Sequence, residues 1–174
     1  LPLARSNIKK IGANAFQNCE RLEKIRLDNL VLVRQIGMST FKNCTSLTNI
    51  KLPPNLEEIL ADAFYECLSL TKIVIPNKVT KIDYRAFYNC RKLKEVTFAP
   101  ASKLYTLGEQ AFAYTNIQSI VLPDTLWSLG SEAFYDCIWL KSVTLGKNLE
   151  RIHEQAFAHS RRLAEIRLPS SLKY

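Results

Sequence analysis

The residues most capable of chemistry in this 174-residue chain are its five cysteines: Cys19, Cys44, Cys67, Cys90 and Cys137. Each stands three residues after a phenylalanine, so they occupy one position of a repeat. If that position lies on helical turns, neighbouring cysteines are about 8–10 Å apart. That distance exceeds the ~7 Å Cα limit for a disulfide and is too wide for a shared zinc ion. We therefore expect small buried hydrophobic residues, and unpaired thiols that suit a reducing or anaerobic setting.

Other candidate catalytic or metal-binding residues are sparse. His153 and His159 are six residues apart, which is not the i, i+4 spacing of a helical metal pair. The sequence has only five glycines and shows no glycine-rich phosphate loop, nucleophile elbow or repeated carboxylate pair. It therefore predicts no enzyme activity, no cofactor and no metal site.

The cysteines belong to a motif that recurs seven times. Each copy carries a Phe, preceded by Ala in all copies except Thr40-Phe41, with Phe-to-Phe spacings of 25, 23, 23, 25, 22 and 23 residues. A period between about 20 and 30 residues is typical of leucine-rich repeats. The seven anchors are Phe16, Phe41, Phe64, Phe87, Phe112, Phe134 and Phe157.

One unit shows the elements that the repeat predicts. The β-branched stretch 70–75 ends at Pro76, which indicates a short parallel strand. The stretch 79–82 predicts a second short extended segment or a tight turn, and the spacing of Ala86, Phe87 and Cys90 predicts one or two helical turns. Strands pair at about 4.8 Å and helices pack at ~8–10 Å, so we expect the stack to bend with its strands on the inner side. The predicted fold class is an α/β repeat solenoid: a curved leucine-rich-repeat array with a parallel concave sheet and short helical turns on the convex side.

The repeat also predicts the domain organisation. We expect residues 1–174 to form a single solenoid of about seven repeats. Leu1-Pro2 opens the chain at the repeat position where Leu168-Pro169 closes it, and neither end shows a divergent unit. Because solenoids need polar caps, we expect a slice of a longer array without its own caps. Extra residues follow the first strand in 27–36 and 98–107, and the fifth unit lacks one residue.

The charge distribution limits the partners. The formal net charge is +8 and the sequence pI is about 9.3, but only residues 1–50, with eight basic and three acidic side chains, are markedly basic. The basic residues form no continuous groove with stacking aromatics, so we expect no nucleic-acid partner. No apolar run approaches the ~20 residues of a membrane-spanning helix, so no membrane span is expected.

These motifs resemble a known family. The unit from Ile73-Val74-Ile75-Pro76 through Ala86-Phe87-Tyr88-Asn89-Cys90 to Leu93 is similar to the BspA-like, or Treponema-type, leucine-rich repeat, and the resemblance extends over all 174 residues. It implies surface or secreted proteins of anaerobic bacteria and some mucosal protozoa, with roles in adhesion to host proteins and cells. It implies no particular ligand.

The residues between the inward-facing positions of the strands are the first candidate binding site. Alternation along a strand places them on the exposed face of the sheet, which changes from basic to small and uncharged along the array. A plain solvated sheet face is the alternative. The candidates are Lys24, Arg26, Lys51, Lys72, Val74, Thr97, Val121 and Thr144.

A second candidate is the pair Tyr105 and Trp127, which lie in adjacent repeats. Exposed aromatic side chains are enriched at binding hot spots. The alternative is that they pack against the inserted loop 99–103.

Together these observations predict a monomeric, non-enzymatic protein-binding module. The first hypothesis is a cell-surface or secreted adhesion or recognition domain that uses the concave sheet and binds a host extracellular-matrix or cell-surface protein. An intracellular, cytoplasmic interaction scaffold is the second, favoured by five free thiols and no visible signal peptide. A structural spacer within a larger surface protein is the third.

Overall fold

The computed structural model describes residues 6–173, so Leu1-Pro2 lies outside the described residues. These residues contain thirteen short strands and no helix. The strands are β1 (Lys24–Arg26), β2 (Gln35–Ile36), β3 (Asn49–Lys51), β4 (Glu58–Ile59), β5 (Lys72–Ile75), β6 (Lys81–Ile82), β7 (Glu95–Phe98), β8 (Thr106–Leu107), β9 (Ser119–Val121), β10 (Ser128–Leu129), β11 (Ser142–Thr144), β12 (Arg151–Ile152) and β13 (Glu165–Ile166).

The strands stack as two columns of a parallel β-solenoid. The even-numbered strands form one six-stranded parallel sheet in the order β12-β10-β8-β6-β4-β2. The odd-numbered strands form three smaller parallel sheets, β1-β3, β5-β7 and β9-β11-β13. Six turns separate β1 from β13. We number the coils 1 to 7 by their phenylalanines, from Phe16 in coil 1 to Phe157 in coil 7.

The predicted helical turns are wrong. In every coil the residues two before and two after the phenylalanine have positive φ, as at Arg85 (51°) and Asn89 (58°) in coil 4. The same two positions are left-handed from Asn14 and Asn18 in coil 1 to Gln155 in coil 7. A left-handed residue cannot continue a right-handed helix, so each of these segments is a run of tight turns.

These turns are hydrogen-bonded from coil to coil. The Phe87 N–H donates to the Ala111 carbonyl at 2.8 Å, and the Asn89 N–H to the Ala113 carbonyl at 2.9 Å. The turn side therefore has the close spacing of a β-ladder, not the 8–10 Å of packed helices. The expected mismatch between the two sides, from which we argued that the array bends, is absent.

Phenylalanine fills the interior along the stack. The seven rings from Phe16 to Phe157 lie 5.0–5.6 Å apart, centroid to centroid, with interplanar angles of 11° or less. The five rings of coils 2 to 6 are fully buried. Leucine, isoleucine and valine from both strand columns pack around them. Each stacked pair contributes about 0.5–1.5 kcal/mol beyond its area burial, so the Phe column holds successive coils in register.

The cysteine position contributes a hydrogen-bond donor in coils 2 to 7. The Sγ atoms of Cys67 and Cys90 each donate to the phenylalanine carbonyl of the preceding coil at 3.1 Å. The Ser160 hydroxyl makes the same bond to Phe134 at 2.9 Å. The Thr115 hydroxyl bonds to Phe112 in its own coil, also at 2.9 Å. Serine and threonine therefore replace cysteine because a short donor is what the position requires.

The expected separation of 8–10 Å between neighbouring cysteines is also wrong. At the observed spacing of about 5 Å, neighbouring positions fall inside the Cα range of a disulfide. The five cysteines are nevertheless free, four of them buried and Cys19 half-buried. Within residues 6–173 no group of three or more His, Cys, Asp or Glu could hold a metal ion. Over the same residues, no helix is long and apolar enough to cross a membrane.

Burial makes the column's thiols poor acids. It raises the pKa of Cys44 to about 12 and that of Cys137 to about 11, from an ordinary value of 9.0. It also raises the pKa of Cys67 well above that value. Since the thiolate is the nucleophile, we expect these three thiols to react slowly in the folded chain.

Glycine should be favoured at the left-handed turn positions. We expect Gln155→Gly, at an exposed residue with φ of 56°, to raise the free energy of unfolding by up to about 1 kcal/mol, because it removes the steric cost of the conformation. The same change at the adjacent exposed Glu154 should lower it by about 0.5–1 kcal/mol. Urea denaturation measures both, and equal effects at the two sites would contradict the turn assignment.

The donor role of cysteine predicts a difference between two substitutions. Cys67→Ser keeps a donor for the Phe41 carbonyl, so its free energy of unfolding should stay within about 1 kcal/mol of wild type. Cys67→Ala removes the donor and leaves a small cavity, and should cost about 1–2 kcal/mol more than serine. Denaturation midpoints measure the order of stability of the two variants. A Cys67→Ala variant as stable as Cys67→Ser, or more stable, would refute the donor role of this position.

The raised thiol pKa values predict slow labelling and alkaline destabilisation. A thiol reagent should modify Cys19 first in the native chain and the other four only after unfolding. Because the unfolded thiols ionise near pH 9 and native Cys44 and Cys137 at about 12 and 11, stability should fall as pH rises above about 9. Replacing both residues with serine should reduce that fall, whereas an unchanged pH profile would mean that other groups cause it.

Candidate functional site

The odd-numbered strands present two columns of exposed side chains. The strand register aligns Lys24 with Asn49 and Lys72 with Glu95 in the first column. In the second column it aligns Arg26 with Lys51. The alternation arises because every second residue of these strands turns into the core. We call the exposed residues of β1, β3, β5, β7, β9, β11 and β13 the first-strand face.

The middle of the second column is β-branched and uncharged. Val74 pairs with Thr97, and Val121 with Thr144. All four side chains are exposed, and the two valines are unusually so, at 58% and 67%. Such a stripe can lose water at little cost when a partner covers it, since it carries no charge.

Ion pairing modifies the basic end of this face. The Arg26 guanidinium binds the Asp28 carboxylate at 2.9 Å, and this hydrogen bond lowers the pKa of Asp28. No salt bridge within 4 Å joins Lys24, Lys51 or Lys72 to another residue in the described part of the chain. The three lysines therefore carry the unpaired positive charge, whereas a count from the sequence treats Arg26 as equivalent to them.

Two grooves cross the first-strand face where its sheet is interrupted. Between β3 and β5 the nearest backbone bond, from Thr71 to Thr48, is 3.5 Å, and between β7 and β9 the bond from Gln118 to Lys94 is 3.4 Å. The paired junctions β1-β3, β5-β7 and β9-β11 have corresponding bonds of 2.9, 2.9 and 2.8 Å. The junction β11-β13 is also paired, but its corresponding bond, from Ala164 to Lys141, is 3.5 Å, and a groove of about 480 Å³ lies beside it. The groove at β3 and β5 has a volume of about 490 Å³, and the groove at β7 and β9 about 630 Å³.

The larger groove brings the stripe together with the inserted loop. Thr97 and Val121 line it beside half-buried Phe98, and Asp124 and Thr125 close one side. Sequence reasoning missed both grooves. The only available signal was the insertion after β7, which showed where a loop bulges but not that the ladder is interrupted.

Tyr105 and Trp127 stack on each other. Their ring centroids are 5.5 Å apart with an interplanar angle of 1°, and the Arg151 guanidinium lies 4.6 Å from the Trp127 centroid. The hydrogen bond from Lys173 has the largest effect in lowering the pKa of Glu150, and the hydrogen bond from Trp127 has the next largest. Tyr105 is 50% exposed and Trp127 is half-buried. Trp127 is thus held on several sides, and Tyr105 presents more of the pair's surface.

A cleft of about 490 Å³ lies beside this pair, lined by Lys103 and Asn148 among others. Whether the pair binds a partner or serves only to pack this edge stays a prediction.

The turn side carries a continuous aromatic column. Tyr65 and Tyr88 stack at 5.1 Å, and Tyr114, Tyr135 and His159 continue the column at centroid distances of 4.9–5.6 Å. The sequence does not show this column directly, because Tyr114 and His159 stand one position later in the repeat than the other three residues. Burial raises the pKa of Tyr65 and Tyr114, and the column covers the turns.

Comparisons with known proteins agree with the geometry. The model of the BspA type leucine rich repeat region matches residues 9–137 and 105–174, with six copies. A leucine-rich repeat protein from T. pallidum is 29% identical with a TM-score of 0.78, over 89% of this chain and 71% of that chain.

Two further solved structures share the fold. A leucine-rich repeat protein from Eubacterium ventriosum is 23% identical, with a TM-score of 0.67 over 87% of this chain and 40% of that one. A leucine rich cell surface protein from Faecalibacterium prausnitzii is 23% identical, with a TM-score of 0.57 over 97% of this chain and 53% of that one. This chain therefore spans about half the length of these two proteins.

A search of the curated proteins gave no match. The family model covers nearly the whole sequence, and the chain's parallel strands stack into the solenoid that such repeats build. The chain therefore belongs to the BspA type leucine-rich repeat family.

Proposed function

We propose that this chain is a non-enzymatic protein-binding module that engages its ligand through the first-strand face. The leucine-rich repeat is a protein-interaction fold, and its solenoids present extended surfaces to partners. The observation that carries the proposal is the aligned stripe of Val74, Thr97, Val121 and Thr144, exposed in four successive coils beside a groove of about 630 Å³. An exposed apolar stripe rimmed by polar residues is typical of interaction sites.

The charges suggest how a ligand would be oriented. Lys24 and Lys51 occupy the two coils before the stripe, and Lys72 lies on the same strand as Val74. All three are free of salt bridges within residues 6–173. A partner with an acidic end and an apolar middle would complement the face along its length. Such charge complementarity mainly raises the association rate and fixes the orientation of the partner.

We further propose that the module acts in adhesion or recognition at a cell surface or after secretion, with a host extracellular-matrix or cell-surface protein as its partner. Two considerations support this location. The family resemblance implies surface and secreted proteins, and the Faecalibacterium protein that shares the fold is named as a cell surface protein.

Free thiols no longer favour an intracellular scaffold over this role. Four of the five cysteines are buried, and burial raises the pKa of Cys44, Cys67 and Cys137, so we expect slow oxidation of these thiols in either compartment. A spacer without a ligand remains as the outcome of a negative binding experiment.

Charge reversal on the first-strand face tests the proposal. Purified chain would be screened by biolayer interferometry against a panel of extracellular-matrix proteins, and the best ligand would be retested with Lys51→Glu/Lys72→Glu. We expect affinity to fall at least ~10-fold, because two unpaired cations are replaced by anions next to the stripe. Raising the salt concentration should weaken wild-type binding and reduce the difference between the two proteins.

The matched control is Lys10→Glu/Lys78→Glu, which changes the net charge equally at two exposed lysines outside this face. It should bind like wild type. Equal binding by the folded Lys51→Glu/Lys72→Glu variant would reject this face, and no ligand above background would favour the spacer.

A further inference from the structure

Coil 5 is one residue shorter than its neighbours at the corner between the turns and the first strand. Phe112 and Ile117 are five residues apart, whereas the corresponding residues Phe134 and Leu140 in coil 6 are six apart. Coils 4 and 6 carry a two-residue turn at this corner, formed by 91–92 and 138–139, and coil 5 lacks it. The repeat position of Trp139 therefore has no counterpart in coil 5.

Trp139 has a neighbour at its own repeat position in coil 7 but not in coil 5. Arg162 holds the same repeat position in coil 7, and its guanidinium carbon lies 3.9 Å from the Trp139 ring centroid. Since coil 7 covers one face of the indole, the opposite face is directed toward coil 5. Trp139 is 38% exposed and its neighbour Ile138 is 41% exposed.

Lys92 holds this repeat position in coil 4, across the vacancy from Trp139. We call the space between Lys92 and Trp139, with half-buried Asn116 at its base, the Trp139 notch. The phenylalanine rings of coils 4 and 5 are 5.0 Å apart and those of coils 5 and 6 are 5.6 Å apart. The two walls of the notch are therefore separated by about 10 Å along the axis.

A planar aromatic ring fits this space with favourable contacts on both faces. A ring halfway across would lie about 5 Å from the Trp139 indole, within the 4.5–7 Å range of aromatic pairs. Its other face would lie about 5 Å from the Lys92 side chain, within the ~6 Å reach of a cation–π contact. A ligand ring would thus occupy the place that a coil-5 side chain would otherwise fill.

The rim of the notch is basic. Arg91, Lys94, Lys141 and Arg161 are exposed at this corner in coils 4, 6 and 7. None of them takes part in a salt bridge among residues 6–173. Acidic groups on either side of an inserted ring would therefore meet unpaired cations.

We propose that the Trp139 notch binds an aromatic side chain within an acidic segment of a protein partner. The proposal rests on the protein-binding function but concerns a different surface from the first-strand face. An anionic sugar could also meet the basic rim and stack on Trp139. The aromatic ring is favoured because its electron-rich faces suit the Lys92 ammonium as well as the indole.

A short fluorescent peptide with one central tyrosine flanked by aspartates is the probe. Fluorescence anisotropy would compare its affinity with that of the same peptide carrying a central leucine. We expect the leucine peptide to bind at least ~10-fold more weakly to the wild-type chain, because it lacks the stacked ring. A tyrosine peptide flanked by lysines should not bind.

Two variants separate the notch from simple charge attraction. Trp139→Ala removes the stacking wall and should weaken the tyrosine peptide ~10-fold. Insertion of one lysine between Asn116 and Ile117 fills the vacancy while adding a positive charge, so it should weaken binding despite stronger attraction. Tyr84→Ala, a change at an aromatic residue that also contacts an arginine but lies outside the notch and the first-strand face, is the control and should bind like wild type. Circular dichroism would confirm that each variant folds.

The outcomes distinguish this site from the first-strand face. Lys51→Glu/Lys72→Glu should leave peptide binding unchanged, so loss of matrix-protein binding in that variant and loss of peptide binding in Trp139→Ala report on separate surfaces. Equal binding of tyrosine and leucine peptides, wild-type affinity in the insertion variant, or binding of a sulfated oligosaccharide but not of the tyrosine peptide would each overturn the proposal.

Discussion

Close hydrogen bonding between successive coils is the constraint on which the rest of the structure depends. Backbone bonds join neighbouring coils both at the strands and at the turns, where the Phe64 N–H reaches the Ala86 carbonyl at 2.7 Å. Both sides therefore advance by about one β-strand spacing per coil. That spacing brings the phenylalanine rings to 5.0–5.6 Å, and it lets the thiol of one coil reach a carbonyl of the coil before it.

Because of the same spacing, residues that differ between repeats lie side by side on the surface of the solenoid. Positions that serve the stack, such as the phenylalanine and the short donor at the cysteine position, keep their chemistry in every coil. Other positions are free to vary and lie in columns only about 5 Å apart, so a substitution in one coil acts directly on its neighbours. Tyr105 with Trp127, and Trp139 with Arg162, are examples of such pairing between coils. A partner thus meets combinations of side chains from several coils at once.

Much of this architecture is predictable from the sequence, and the limits have physical causes. The alternation of Ile73 and Ile75 before Pro76 identifies a strand that the structure contains. The spacing of Ala86, Phe87 and Cys90 wrongly predicts helical turns, because residues at i, i+1 and i+4 also come together in a run of tight turns. A corrective signal was present: asparagine, which tolerates the left-handed region, recurs two residues after phenylalanine at Asn18, Asn43 and Asn89. The interrupted ladder depends on distances between coils, and no single repeat encodes those distances.

The interruptions of the first-strand sheet also divide the solenoid into mechanical segments. Short bonds alternate with long ones, at 2.9, 3.5, 2.9, 3.4, 2.8 and 3.5 Å from coil 1 to coil 7, whereas the even-numbered strands form one continuous sheet. Coils 1 and 2, 3 and 4, and 5 and 6 are therefore the more tightly bonded pairs, joined along the continuous sheet and separated on the opposite side by three weakly bonded seams. Bending is least costly at those seams, so the molecule can adjust the contour of its exposed strands in steps of two coils while the phenylalanine interior stays closed.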